Sequence, residues 1–165
     1  MKRLIFRVVA VWTFAIAAAG AVSPPASAQM PGGFATFSKG EAVIRSANGD
    51  HKFRIEIART EQQHEQGLMY RRHLDADAGM LFVYRRPTES DMWMKNTLLP
   101  LDMIFVRAGG KIGRIAERTI PMSEKVIYSG GRVIAVLEVN AGTVSRLGIK
   151  VGDTLVSSAL DDGDD

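Results

Sequence analysis

The chain has 165 residues, 46% of them hydrophobic and 24% charged, with a formal charge of +3 and no cysteine. The lack of cysteine excludes a disulfide framework, cysteine-ligated zinc and a thiol nucleophile. Residues 1–28 hold Lys2, Arg3 and Arg7 and no acid, so the remainder has 18 basic against 18 acidic residues. A duplex-binding domain shows a clustered basic excess, so no nucleic-acid partner is expected.

Met1-Lys2-Arg3 and Arg7 precede a run from Val8 to Val22 that only Thr13 and Gly20 interrupt. At about fifteen residues this run is short of the roughly twenty needed to cross a bilayer core. Pro24, Pro25 and the small residues Ala26-Ser27-Ala28 follow it, which is the layout of a secretory signal peptide. Cleavage near Ala28 is expected, giving a periplasmic or secreted protein with no membrane attachment afterwards. An uncleaved anchor is the alternative. Residues 29–40 contain Pro31-Gly32-Gly33 and read as a flexible lead-in.

A hairpin is expected around Asn48-Gly49, since Asn-Gly accepts the positive φ of a tight turn, with Phe53, Ile55 and Ile57 alternating against Arg54 and Glu56. Thr60 and Gln63 form a capping-box pair at the start of a short helix that Gly67 ends. Strands are expected in "GMLFVY", in "DMWMKN", in the two arms of "LDMIFVRAGGKIGRIAE" and in "RVIAVLEV". A second short helix from about Thr143 stops at Gly148, and a last strand follows Gly152-Asp153. Residues 159–165 end in "DDGDD", an acidic tail expected to be disordered. Together these predict one mainly-β domain over residues 41–158. A compact antiparallel β-barrel or sandwich with two short helices is the expected fold, because strands at this spacing need closure or a second layer to cover their apolar faces.

The blocks "EQGLMYRRHLDADAGMLFVY", "WMKNTLLPLDMIFV" and "VLEVNAGTVSRLGIKVGD" occur in this order and resemble signatures of the bacterial and archaeal family called domain of unknown function 192, or uncharacterised protein family 0127. The resemblance spans about residues 53–156. It implies a compact mainly-β domain with short helices and implies no activity. Members often carry a cysteine in the loop matching "IPMSE", where this chain has Met122, so thiol chemistry proposed for them cannot occur here.

The candidate site begins at "DMWMKNTLLPLDMIF". If this stretch starts as a strand, Trp93 lies between Asp91 and Lys95 on one face, as a half-exposed aromatic platform. Asn96 then ends the strand, and bonding backbone in that turn is its alternative role. Asp102 heads the apolar row Ile104, Val106, and Glu138 ends the row Ile134, Val136. An unpartnered carboxylate is costly on a buried face, so each is expected at a rim. Trp93, Lys95, Asn96, Asp102 and Glu138 are therefore the expected ligand-binding residues, around a pocket that suits sugar rings, with an aromatic plate for C–H faces and polar groups for hydroxyls. A non-catalytic envelope binder of a glycan or small molecule is the first reading, as a monomer with no cofactor.

Three alternatives stand beside it. Asp102 and Glu138 would be the catalytic acid and base of a hydrolase. Met69, Met80, Met92, Met94, Met103 and Met122 would supply thioethers to copper(I), although alternation sets Trp93 opposite Met92 and Met94. An exposed strand edge would pair with another protein. His51, His64 and His73 lack metal-ligand spacing, and no metal site is expected from them.

Overall fold

The computed structural model describes residues 33–161, so the expected signal peptide, the first residues of the expected lead-in and the last four residues lie outside that range. Seven strands form one sheet: β1 (Ser38–Ser46), β2 (Gly49–Ala58), β3 (Ala78–Met92), β4 (Leu101–Val106), β5 (Ile112–Ala116), β6 (Ile127–Asn140) and β7 (Thr154–Val156). Their order is β5-β4-β6-β3-β2-β1-β7. The helices are α1 (Glu61–Gln66) and α2 (Thr143–Leu147). The mainly-β expectation with two short helices holds. One pair departs from it: β2 and β3 run parallel, because α1 and the chain after it carry β2 back to its own starting end.

The sheet curls into a half-barrel whose edges touch at one end. Lys111 bridges Thr154, and the Ile112 N–H donates to the Asp153 carbonyl at 2.9 Å. Alternation then gives two cores. All seven strands contribute to the enclosed one, which includes Ile44, Phe53, Leu81, Ile104, Ile112, Leu137 and Leu155. The other face carries Met80, Phe82, Met103, Phe105 and Val136, together with Leu68 and Met94. The segment following α1 and the loop following β3 supply those last two residues, so they cover this outer face.

Local signals explain most boundaries. Thr60 accepts from the Gln63 N–H at 3.2 Å, and Gln63 Oε1 accepts from the Thr60 N–H at 3.1 Å, completing the capping box of α1. Gly67 then takes φ 45°, ψ −132°, a conformation open to glycine. A Cβ there would also lie 3.0 Å from Phe82 Cζ, so the absent side chain lets α1 settle on the sheet.

Several boundaries differ from expectation. Ser46 pairs with Gly49, so the hairpin loop is Ala47-Asn48, one residue earlier than expected. Strand β3 does not stop after Tyr84: it passes Pro87 in a register shift between Val83 and Thr88, where the missing N–H costs no ladder bond. "DMWMKN" is not a strand, because β3 ends at Met92 and Asn96 takes φ 55° in the following turn. The lead-in is ordered from Ser38 as part of β1, and the Ala35 N–H donates to Gln66 Oε1 at 2.5 Å. At the other end Ser158–Leu160 form a 3-10 turn that buries Ala159, so the domain outlasts residue 158.

Candidate functional site

Glu138 lies on β6 between two neighbouring strands. Its register partners are Met80 on β3 and Met103 on β4, both fully buried on the outer face. Flanked by thioethers, the carboxyl has no hydrogen bond or ion pair among the described residues, and the side chain is 4% exposed. No fully sealed side-chain oxygen or nitrogen among those residues lacks a partner. The unpartnered Glu138 carboxyl must therefore reach open space, and it does: it lines a cavity of about 400 Å³. Burial pushes its pKa up to about 8, so near neutral pH most of it is the uncharged acid.

The cavity wall comes from α1, the chain just after it, β3 and the loop beyond β3. The His64 ring lies 5.2 Å from Tyr84 and 5.8 Å from Phe82, while its Nε2 sits 3.0 Å from the Ala58 carbonyl. The Tyr84 hydroxyl meets Ser90 Oγ at 2.6 Å and Met92 sulfur at 3.8 Å. The Ser90 N–H donates to Ser129 Oγ at 3.0 Å, which ties this wall to β6. Burial raises the Tyr84 pKa, the Ser90 hydrogen bond opposes part of that rise, and Glu138 adds to it once ionised.

Three loops are tied together beside Thr97, which lines the cavity. The Tyr70 N–H donates to the Asn96 carbonyl at 2.9 Å, the Met122 N–H to the Thr97 carbonyl at 3.0 Å, and the Met94 N–H to the Ser123 carbonyl at 2.9 Å. Tyr70, Asn96 and Met122 all hold positive φ, at 62°, 55° and 61°. Non-glycine residues persist there only where the surroundings over-determine them, and such positions cluster at functional sites.

The expected site residues divide. Trp93, 49% exposed, and Glu138 line the same cavity. Lys95 does not line it, but its ammonium lies 5.9 Å from the Trp93 ring centroid. Asn96 stands in the turn at φ 55° and outside the cavity lining, and its side-chain nitrogen points to the Met69 sulfur at 3.8 Å rather than to backbone in that turn. Asp102 is a correction. It pairs with Val139, whereas Glu138 pairs with Met103, so the two carboxyls point to opposite faces of the sheet. Asp102 Oδ1 accepts from the Arg118 N–H at 2.8 Å and Oδ2 from the Val144 N–H at 2.9 Å. It staples β4 to the first turn of α2 and to residue 118, and an acid–base pair with Glu138 across one bond is geometrically excluded.

The copper reading finds its methionines dispersed. Met69 and Met92 line the cavity, Met80, Met94 and Met103 fill the outer core, and Met122 is exposed on its loop. Among the described residues no group of three or more histidine or acidic side chains is arranged to hold a metal ion. The strand-edge reading finds little edge, since β7 has three residues and β5 five, with the chain just before β5 bridged to β7.

Sequence reasoning missed the cavity's contributors from α1 and from Tyr84 and Ser90. The signal for Tyr84 was present, since Met80, Phe82 and Tyr84 alternate onto one face of "GMLFVY".

The family described as Uncharacterized ACR, DUF192, matches residues 43–157. A crystal structure from Sinorhizobium meliloti 1021, described provisionally as a transcription regulator, is 44% identical with a TM-score of 0.74 and covers 77% of this chain and 99% of its own. A protein of unknown function from Novosphingobium aromaticivorans DSM 12444 is 39% identical with a TM-score of 0.69, covering 70% of this chain and 83% of its own. No curated protein matches the chain.

Proposed function

Because the chain belongs to the DUF192 family, whose description names no activity, its function has to be argued from its own cavity, and we propose that it is a non-catalytic envelope protein that binds a small hydroxylated ligand of the sugar class there. The observation that carries this reading is the Glu138 carboxyl, unpartnered on the cavity wall with Trp93 also lining it. Pockets for small molecules run from roughly 300 to 1,000 Å³ and join apolar walls to a few converging polar groups. This one fits that description at about 400 Å³. The indole offers a plate for sugar C–H faces, and a neutral Glu138 both donates and accepts hydrogen bonds. The leader pattern of residues 1–28 supports placement in the envelope after export.

The provisional description of the Sinorhizobium protein as a transcription regulator would require a basic surface for phosphates. Lysine and arginine are absent from the lining of this cavity, so the site favours a small ligand over a nucleic acid.

Trp12 lies in the leader, which leaves Trp93 as the one indole of residues 29–165. Its fluorescence in that form, which retains the whole compact unit from Gly33 onward, tests the reading against a panel of neutral and amino disaccharides. A saturable change in emission with at least one of them is expected. A flat response to all, with emission still shifting normally on unfolding, would remove the sugar reading.

A further inference from the structure

We infer that the ligand of this cavity carries a protonated amine, as an amino sugar does, and that its ammonium pairs with Glu138. This rests on the pocket reading above and narrows it to a ligand class.

The charge around the cavity is one-sided. Glu65, Glu89 and Asp91 join Glu138 in the lining, and no lysine or arginine accompanies them. The first three are exposed and their field is screened. Acidic rims occur on many surfaces, and an unpartnered carboxyl on a residue only 4% exposed is what sets this one apart. A sugar hydroxyl brings Glu138 one hydrogen and no charge. An ammonium brings three donors and a full charge, which offsets the desolvation of an ionised carboxylate between Met80 and Met103.

The walls agree with a cation. Phe82, Tyr84 and Trp93 supply aromatic surface, and ring faces attract ammonium groups. Trp93 already does so on this molecule, with the Lys95 ammonium 5.9 Å from its ring centroid. An anionic ligand such as a uronate or phosphate would meet Glu65, Glu89 and Asp91 in the lining with no lysine or arginine among the lining residues, Lys95 standing outside the lining on the Trp93 ring.

Binding has a proton consequence. The titratable groups around the cavity are Tyr84 from β3, His64 and Glu65 from α1, and Glu89 and Asp91 at the end of β3, while β4 contributes only Met103 beside Glu138. Near pH 7 Glu138 is mostly protonated, and an ammonium favours its ionised form, so binding releases a proton from the carboxyl to solvent.

The test is isothermal titration of the purified protein with glucosamine disaccharide and with its N,N′-diacetyl counterpart, in two buffers of different ionisation enthalpy at about pH 6, where the sugar amine and Glu138 are both mostly protonated before binding. The free amine is expected to bind at least tenfold tighter with net proton release. Glu138→Gln should erase most of that preference, and Asp91→Asn should reduce it less. Equal or tighter binding of the acetylated sugar, or binding without proton release, overturns the amine inference and leaves the sugar pocket standing. If neither sugar binds, the pocket reading fails and the inference falls with it.

Discussion

Asp102 and Glu138 are buried to nearly the same degree, at 0% and 4% exposure, yet the chain treats them oppositely. Asp102 spends both oxygens on backbone N–H groups that have no other acceptor, Arg118 at 2.8 Å and Val144 at 2.9 Å. Removing a buried acceptor leaves such donors unsatisfied at about 1–3 kcal/mol each. Asp102→Ala is therefore expected to lose about 2–4 kcal/mol in urea unfolding, with Asp102→Asn losing less because its amide oxygen still accepts one bond. Glu138 satisfies nothing in the fold, so Glu138→Gln should leave the fold intact near neutral pH. A buried acid without a structural task is best explained by a task outside the fold.

At the scale of elements, the chain around this acid was partly legible. The capping box of α1, the hairpin before it, the glycine stop of α2 and the long β6 strand follow from local chemistry that needs no distant partner. Alternation placed Asp102 in one row with Ile104 and Val106 and Glu138 in one row with Val136, but Ile134, expected in the Glu138 row, packs against the enclosed core instead. The relation between the two rows was not legible, because register is a property of a strand pair: one step sends a side chain to the other face. Asp102 opposite Val139 separates the two acids, and neither strand encodes that alone. The run Met92-Trp93-Met94 imitates a strand in composition, but Asn96 turns the chain and the loops to Tyr70 and Met122 fix it. Gly67 tests the element argument. Gly67→Ala forces a Cβ into φ 45° and to within 3.0 Å of Phe82. A loss of about 1–3 kcal/mol is expected, read as a lower thermal midpoint, together with weakened binding because α1 forms one wall of the cavity.

For the whole molecule, the cavity couples folding to pH. The Glu138 pKa rises from 4.5 to about 8 on folding, and burial is the cause. Between those values the folded chain holds a proton that the unfolded chain has released. Stability from this group is therefore full below the unfolded value and is lost as pH climbs to about 8, at up to about 1.4 kcal/mol per pH unit. Denaturant midpoints of the wild type should fall across that window, and those of Glu138→Gln should fall less, so that the variant is the more stable protein at pH 8.

The curled sheet makes this possible: one face is enclosed by all seven strands, and the other is covered by short segments that leave room over β6. The most direct measurement is the pH titration of the Glu138 side-chain carboxyl carbon by NMR, with and without glucosamine disaccharide. A midpoint near 8 in the free protein, moving down when the amino sugar is added, is the expected result. A midpoint in the ordinary carboxylate range that the sugar leaves unmoved would contradict the account.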